Sequence, residues 1–288
     1  MDEEKDRLRG AYRAAGRVLR RTLKPDEQAE LDQVATGEVV IVSGEYDHIR
    51  RVFEATEIPF TEVAPDDVHR LDFERLEVLL INCPGHLPSR GLEAIGTWVR
   101  RGGYLLTTDW ALKHVLEPLF PNTVRHNGRQ TDDRVVRVET EAAVEDPLLS
   151  GLLEGERDPL WWLESASYPI EVLDQEKVKV LIRSAEVGRL WGADPVVVTF
   201  EEGQGTVTHL LSHLYLQRSE VRDQADARPA AAYAVSLGLS DAQAEEALRE
   251  APGLNLSDLK SAYSTSRLLS KAVLAAKRKR AKDPLDRN

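Results

Sequence analysis

The chain has 288 residues, a length that suits one large α/β domain with an appendage. Its hydrophobic fraction of 42% and charged fraction of 30% are near globular averages, which excludes a largely disordered chain. The formal net charge of -11 opposes attraction to phosphate backbones, so we expect no nucleic-acid partner, and a single cysteine excludes a disulfide framework and a multi-cysteine zinc site.

The N-terminal segment MDEEKDRLRGAYRAAGRVLRR is charged throughout and lacks the apolar core of a secretion signal. No window of the sequence approaches the roughly 20 apolar residues that span a bilayer. Together with the single cysteine, these features favour a reducing compartment. We therefore expect a cytoplasmic protein without membrane contact.

The first elements in the chain are predicted to be helices and buried strands. Residues 1–36 carry apolar residues at helical spacing on both sides of a turn at Lys24-Pro25-Asp26. The segments GEVVIVSGEYDHIRRVFEATEIP, FTEVAP and LEVLLINCPGH then predict a strand, a glycine-containing turn, a helix and two further strands. Strands that are apolar on both faces favour a doubly wound, mostly parallel α/β sheet of the flavodoxin-like type.

The middle of the chain leads into a strand-to-helix turn and then into more sheet. SRGLEAIGTWVRRGG predicts a helix, and YLLTTDWALKHVLEPLFP predicts a buried strand, a sharp turn and a helix. We interpret residues 122–134 as a polar loop. The runs RVVRVET, YPIEVL and KVKVLIRS, with the hairpin PVVVTFEEGQGTVTHLLSHLYL, predict partly antiparallel additions.

From residue 218 onward the strand signals stop and three helical segments follow, which predicts a C-terminal helical extension. We divide the chain into an N-terminal helical segment (1–36), an α/β domain (37–222) and a C-terminal helical module (223–288). The last helix carries an apolar stripe of Leu256, Leu259, Tyr263, Leu268, Leu269 and Val273. Such a stripe packs on its own protein or in a partner's groove, so we expect a protein partner or a homo-oligomer through these helices.

Two other features have ordinary structural explanations. The basic run AKRKRAK at 276–282 suits a solvated helix end whose cations complement the helix dipole. Trp161 and Trp162 are adjacent on an extended segment, so they face opposite sides and at least one is expected in the core or at an oligomer contact. Stacking of a tryptophan on a sugar or base is the alternative.

Four stretches in this order resemble the class I glutamine amidotransferase-like fold, in particular its branch similar to trehalose-utilisation-type proteins. They are VVIVSGEYDHI, LLINCPGH, GLEAIGTWVRRGGYLLTTDW and GQGTVTHLLSH. The resemblance covers about residues 37–217. It implies that a cysteine occupies the strand-to-helix elbow in catalytic members, with a histidine and an acidic residue from later in the chain.

The matching elbow in this chain is Thr107-Thr108-Asp109-Trp110, which contains no thiol. The Asp109 carboxylate suits an anionic cap of the following helix. An aspartyl nucleophile or a metal ligand is the alternative role for Asp109.

Cys83 ends the preceding strand and fits a small buried residue, with a thiol nucleophile beside His86 as the alternative. His213 matches the family's histidine approximately, and His209 is predicted to point to the same side of the strand. The alternative is a metal site made from His213, Asp109, His86 and either His48 or Asp47, because these residues follow strand ends where open α/β sheets place ligands.

The predicted ligand-binding cleft lies at the carboxyl ends of the strands. Its residues are Ser43, Gly44, Glu45, Asp47, His48, Cys83, Gly85, His86, Thr108, Asp109, Trp110 and His213. The Ser43-Gly44 turn and Gly85 leave room for backbone amides to hold a small anion.

Because the elbow carries no thiol, we expect a non-catalytic protein that acts by binding, as an assembly or regulatory component, without a cofactor. Two alternatives stay open. One is a hydrolase that uses a metal or an aspartate at the same cleft, and the other is a sensor of a small ligand. The hydrolase requires Asp109 and His213 within hydrogen-bond reach, whereas the binding role is compatible with Asp109 turned into its helix.

Overall fold

The computed structural model describes residues 2–140, 146–150, 159–215, 224 and 226–282, which form a mixed α/β structure. The helices are α1 (Asp2–Thr22), α2 (Pro25–Asp32), α3 (Arg50–Thr56), α4 (Ser89–Arg100), α5 (Glu117–Leu119), α6 (Ala185–Trp191), α7 (Ala230–Ser236), α8 (Asp241–Leu248) and α9 (Leu256–Lys282). The strands are β1 (Val39–Val42), β2 (Thr61–Val63), β3 (Val78–Ile81), β4 (Tyr104–Thr108), β5 (Val124–His126), β6 (Arg134–Arg137), β7 (Glu139–Thr140), β8 (Leu160–Leu163), β9 (Ile170–Val172), β10 (Lys179–Arg183), β11 (Pro195–Glu202) and β12 (Gly205–Leu210). Short 3-10 helices cover Pro65–Arg70 and Pro147–Leu149, and a π-helical turn covers Leu112–Leu116.

The large sheet has eight strands in the order β2-β1-β3-β4-β12-β11-β10-β7. The first five strands in this order pair in parallel, and the last three add antiparallel pairings. Numbered in chain order, the parallel strands run 2-1-3-4-5, which is the flavodoxin-like order. The prediction of a mostly parallel sheet with antiparallel additions is therefore confirmed.

The parallel strands form where the sequence has uninterrupted apolar runs. Every residue of β1, β3 and β4 is buried, as expected for strands covered on both faces. The predicted polar loop at 122–134 is wrong in part, because β5 lies within it and pairs antiparallel with β9. Three mixed residues give too short a pattern to predict a strand, and here the partner strand determines the conformation.

By their contacts the residues of the chain group into two units. One comprises Met1–Val34, Ile49–Pro59 and Tyr215–Ser270, and the other comprises Ala35–His48, Phe60–Leu214 and Lys271–Asn288. The eight-stranded sheet lies wholly in the second unit. The sequence-based division at residues 36 and 222 stays a prediction. None of the described helices combines the length and apolarity needed to cross a membrane.

The basic end of α9 is bound to the sheet unit rather than solvated, so that part of our interpretation is wrong. Lys277 Nζ lies 2.9 Å from Glu38 Oε2, and Arg280 Nη2 donates to the Glu74 carbonyl oxygen at 2.7 Å. Glu38 directly precedes β1 and Glu74 lies shortly before β3. These acceptors come together only in the folded sheet, which is why the basic run alone did not reveal them.

The hairpin between β11 and β12 packs closely against the end of α4. A Cβ atom added at Gly205 would lie 1.9 Å from the Val99 carbonyl oxygen, whereas one at Gly91 in α4 would meet its nearest neighbour at 3.6 Å. We therefore expect Gly205→Ala to lower the free energy of unfolding by about 1–3 kcal/mol or more. Gly91→Ala, the matched control, should be neutral or stabilising by up to about 1 kcal/mol, because alanine loses less conformational freedom on folding than glycine does. Urea unfolding of both variants checks this, and equal stabilities would contradict the described packing.

Candidate functional site

Four polar side chains follow the carboxyl ends of parallel strands. Asp47 follows β1, Cys83 follows β3, Asp109 follows β4 and His213 follows β12. All four are buried, with exposed fractions of 5% or less. Open parallel sheets place their ligand sites at this edge. The predicted cleft lies at this edge, and all four of these residues belong to the predicted set.

The predicted elbow after β4 is present. Asp109 has a φ of 46°, in the left-handed region that costs a residue with a side chain about 1–3 kcal/mol. The predicted cap by its carboxylate is wrong, because the π-helical turn that follows receives no hydrogen bond from a capping side chain. Asp109 Oδ1 instead accepts a hydrogen bond from the backbone N–H of Tyr168 at 2.9 Å. The strained turn therefore directs this carboxylate away from its own helix.

The side chains of Cys83, Asp109 and His213 meet in one buried group, which we call the Cys83–Asp109–His213 cluster. His213 Nε2 lies 3.3 Å from Asp109 Oδ2, and Cys83 Sγ lies 3.8 Å from the same oxygen. One sulfur, oxygen or nitrogen atom from each residue lies within 4.8 Å of the others. Thus a thiol does reach the elbow, from the neighbouring strand rather than from the turn itself.

A second carboxylate contacts the imidazole from the other side. Glu164 Oε2 contacts His213 Nδ1, and the Glu164 side chain keeps 25% of its surface exposed. Glu164 is held in place because its carbonyl oxygen accepts a hydrogen bond from Thr131 Oγ1 at 2.6 Å. Trp110 Nε1 donates to the Ala166 carbonyl oxygen at 2.7 Å, which fixes the same segment over the elbow.

Burial and neighbouring groups shift the pKa values of His213, Asp109 and Cys83. Burial opposes a charged imidazole, but the hydrogen bonds with Asp109, Cys83 and Glu164 together outweigh it and raise the pKa of His213 far above its usual range. Burial raises the pKa of the Asp109 carboxyl despite its hydrogen bonds. Burial, and then the charge of Asp109, raise the pKa of the Cys83 thiol against the opposing hydrogen bond from His213.

Asp47 supports the site without joining the cluster. Its carboxylate accepts hydrogen bonds from Thr108 Oγ1 at 2.9 Å and from the His48 backbone N–H at 2.7 Å. Thr108 Oγ1 also accepts the backbone N–H of Cys83 at 3.2 Å. Asp47 and Thr108 thus connect the β1, β3 and β4 ends through hydrogen bonds.

The predicted anion-binding turn uses its amides internally. The N–H groups of Glu45 and Tyr46 donate to the Cys83 carbonyl oxygen at 3.0 and 3.4 Å, and that of Ser43 donates to Val63. Gly44 is required because a Cβ atom there would lie 2.2 Å from the Cys83 carbonyl oxygen. This turn packs against the strand end, so the small-anion hypothesis gains no support from it.

The two other histidines of the predicted metal site, His48 and His86, lie outside the cluster. His48 and His86 are exposed, and His86 contacts the ring of His114 at a centroid distance of 4.2 Å. Among the described residues the group of metal-ligating side chains contains Cys83 in place of His86. Gly85, with a φ of 75°, lies against the helix after the elbow, where a Cβ atom would come within 2.8 Å of Ala111.

His209 is buried in the sheet rather than in the cluster, because β12 ends at Leu210 and the period of two does not extend to His213. His209 Nδ1 lies 2.8 Å from Thr107 Oγ1. Burial lowers the pKa of His209 to about 3.

Sequence reasoning missed Glu164 and Tyr168, both contributed by the segment after β8. The only available signal was an acidic residue directly following the strand Leu160–Leu163. The tryptophan expectation is met, since Trp162 is buried and Trp161 is half-buried with its Nε1 donating to Ser212 Oγ at 2.7 Å.

Four aromatic rings lie in contact beside the cluster. Trp110 stacks on Tyr168 at a centroid distance of 5.3 Å, and Tyr168 stacks on His126 at 3.9 Å. Tyr46, which is 51% exposed, meets the Trp110 ring edge-on at 5.4 Å. Trp110 directly follows Asp109 in the chain, and the backbone N–H of Tyr168 donates to the Asp109 carboxylate. These rings therefore border the cluster.

No protein-family model matches the chain, and no curated protein matches it. Solved structures similar to it include a putative ThuA-like protein from Bacteroides uniformis ATCC 8492, at 16% identity and a TM-score of 0.44 over 62% of this chain and 82% of that one. A cytoplasmic protein from Salmonella typhimurium LT2 has 13% identity and a TM-score of 0.43 over 62% of this chain and 88% of its own.

A beta-galactosidase from Bacillus circulans sp. alkalophilus is also similar, with 11% identity and a TM-score of 0.44 over 65% of this chain. The chain spans only 31% of the length of that galactosidase. Nothing about family membership, activity or substrate follows from these values.

The buried His209 predicts a specific pH dependence of stability. Its folded pKa of about 3 lies below the unfolded value of about 6.5, so the unfolded chain takes up a proton first and stability falls as the pH falls through that window. For one proton the slope reaches about 1.4 kcal/mol per pH unit. His209→Asn removes the titration, so its deficit relative to the wild type should shrink on acidification. Denaturant unfolding across this pH range checks it.

Exposed His86 offers the matched control. His86→Asn should leave the free energy of unfolding at neutral pH close to that of the wild type, because the side chain that it shortens is exposed. A deficit of His209→Asn that stays constant between about pH 4 and pH 7 would contradict burial of a neutral His209.

Proposed function

We propose that the chain is a metal-dependent hydrolase whose divalent cation is held by Cys83, Asp109 and His213. The observation that carries this proposal is the approach of a thiol, a carboxylate and an imidazole within 4.8 Å of one another at the carboxyl edge of the sheet. These are the three ligand types that zinc prefers. This is the hydrolase alternative stated from the sequence, with Cys83 added.

The interatomic distances agree with tetrahedral coordination. From metal–ligand distances of about 2.0–2.3 Å, a carboxylate oxygen and an imidazole nitrogen on one zinc ion lie about 3.4 Å apart, and a thiolate sulfur and a carboxylate oxygen lie about 3.6 Å apart. The corresponding distances here are 3.3 Å and 3.8 Å. These two ligand–ligand distances are therefore within about 0.2 Å of those around a common zinc ion.

Glu164 supports the proposal from outside the coordination sphere. A ligating histidine commonly donates its second ring N–H to a carboxylate, which fixes the tautomer and the ring orientation. His213 has this arrangement, with Nε2 toward the cluster and Nδ1 toward Glu164. Three protein ligands leave one coordination position for water or substrate, which is the pattern of catalytic rather than structural zinc sites.

The chemistry follows from that open position. A bound divalent cation lowers the pKa of water to about 7 and polarises a carbonyl or phosphoryl oxygen. The protein's own groups then hold the geometry: Glu164 keeps the proton on His213 Nδ1, and the Tyr168 N–H keeps Asp109 oriented. The proposed reaction is hydrolysis of a substrate that enters beside the aromatic rings bordering the cluster.

The non-catalytic binding role is the second candidate, and it stays a proposal with weaker support. Its first premise was an elbow without a thiol, and Cys83 Sγ lies 3.8 Å from Asp109 Oδ2. Its second premise was an available apolar stripe on the last helix. The stripe residues are buried within the chain, at exposed fractions of 8% or less: Leu256, Leu259, Tyr263, Leu268, Leu269 and Val273.

We further propose that the α/β body is a doubly wound, amidotransferase-like fold of the trehalose-utilisation-type branch, with α7–α9 as a C-terminal extension. The flavodoxin-like order of the parallel strands supports this proposal. The strained elbow at Asp109 and the histidine after β12 support it as well.

The cluster predicts stoichiometric metal binding by the wild-type protein. We expect one equivalent of Zn²⁺ by titration calorimetry, and with Co²⁺ a thiolate charge-transfer band in the near ultraviolet. Cys83→Ser, Asp109→Asn and His213→Gln should each weaken Zn²⁺ binding by at least about 100-fold, because each removes one of three ligands. Glu164→Gln should weaken it about 10- to 100-fold, as removal of an outer carboxylate does.

His86→Gln is the matched control, since His86 is an exposed histidine near the same sheet edge and should leave the affinity unchanged. Hydrolysis of activated esters and phosphoesters should then depend on the metal and be lost with chelator. A wild-type protein that takes up no metal would sink the proposal. Metal-free activity that vanishes on alkylation of Cys83 would establish thiol chemistry in its place.

A further inference from the structure

A cationic pocket lies between α1 and α3, within the first contact unit. The two helices approach closely at Gly16, where an added Cβ atom would lie 2.1 Å from the Ala55 carbonyl oxygen. Toward the N-terminus of α1 a cavity of about 360 Å³ opens beside this contact. Its side-chain lining comprises Arg9, Tyr12, Arg13, Arg51, Glu54 and Tyr215. We call this cavity the arginine pocket.

The charges of the arginine pocket are unbalanced. Three guanidinium groups face one carboxylate, and that carboxylate, Glu54, accepts a hydrogen bond from Arg51 at 2.9 Å. Arg9 lies 3.4 Å from Asp6, in a pair whose two side chains are more than half exposed. The Arg13 side chain has neither a hydrogen bond nor an ion pair with any other described residue. The pocket therefore concentrates positive charge on a chain whose net charge is -11.

The helix geometry brings the arginines together. Arg9 and Arg13 are four residues apart on α1, so they lie on the same helix face, where like charges repel each other. Arg51 comes from the first turn of α3 and faces the same cavity. A bound anion would relieve this repulsion, and planar guanidinium groups hold phosphate oxygens in paired hydrogen bonds.

One wall of the pocket is aromatic. The rings of Tyr12 and Tyr215 lie 4.8 Å apart at an angle of 31°. Tyr12 is buried, whereas Tyr215 is half-buried. The cavity volume lies at the lower end of the range of about 300–1,000 Å³ for small-molecule sites. A small ligand with one anionic end and one apolar or ring-bearing end matches this combination of arginines and tyrosines.

We propose that the arginine pocket binds a small organic phosphate, with Arg13 and Arg9 on the phosphate group and the tyrosine wall against the rest of the ligand. This site is separate in residues and in chemistry from the Cys83–Asp109–His213 cluster. The cluster attracts a cation through a thiol and carboxylates, whereas the pocket attracts an anion through guanidinium groups. The proposal does not depend on the hydrolase assignment.

The test uses the full chain and three probes: adenosine monophosphate, adenosine and inorganic phosphate at matched ionic strength. We expect adenosine monophosphate to bind with a dissociation constant below about 1 mM, and inorganic phosphate more weakly, in titration calorimetry. Arg13→Gln should weaken adenosine monophosphate at least 10-fold, and Arg9→Gln should weaken it severalfold. Thermal shifts with the same probes should follow the same order.

Arg90→Gln is the matched control because it removes the same charge from an exposed arginine of α4 outside the pocket. If Arg90→Gln weakened the binding of adenosine monophosphate as much as Arg13→Gln does, the effect would be one of general electrostatics, and the proposed site would be wrong. Adenosine binding as tightly as adenosine monophosphate would overturn the phosphate assignment. Cys83→Ser should leave probe binding unchanged, so failure of the metal site and failure of the arginine pocket are distinguishable.

Discussion

Parallel pairing of β3, β4 and β12 determines which side chains meet at the carboxyl edge of the sheet. The register aligns Ile81 with Thr107, and Thr107 with His209. Cys83 and Asp109 each follow their aligned residue by two positions, so they leave the sheet at the same level and at neighbouring strands. His213 follows by four positions and returns to the same place because β12 ends at Leu210 and the chain turns.

The carboxylates of Asp47 and Asp109 have different hydrogen-bond partners. This difference distinguishes the structural role of Asp47 from the proposed ligand role of Asp109. Asp47 accepts hydrogen bonds from Thr108 and from the backbone N–H of His48, so it is satisfied without a cation. Asp109 has one backbone donor, Tyr168, and otherwise faces the imidazole and the thiol. A buried anion with few donors needs a compensating positive charge. The His213 imidazolium supplies one positive charge. A divalent cation would compensate the Asp109 carboxylate and the Cys83 thiolate together.

Local patterns were sufficient to predict the strands and the elbow, because these depend on contiguous residues. The buried runs of β1, β3 and β4 and the glycine hairpin at Gly203 are readable in this way. The helix cap at Asp109 was also predicted from neighbouring residues. This prediction was wrong because the backbone N–H of Tyr168, 59 residues away, donates to the Asp109 carboxylate. Glu164 was missed for the same reason, since only the folded position of the segment after β8 brings it to His213.

The net charge of -11 affects the two proposed sites in opposite ways. A chain with a net negative charge favours the approach of cations, so the overall charge assists metal binding at the Cys83–Asp109–His213 cluster. An anion approaching the arginine pocket meets repulsion from the chain as a whole, but this is screened beyond about 8–10 Å in physiological salt. Within that distance the three guanidinium groups of the pocket outnumber its one carboxylate, that of Glu54. Selectivity for an anion therefore depends on these few guanidinium groups, so removing one of them takes away a large share of the positive charge of the pocket.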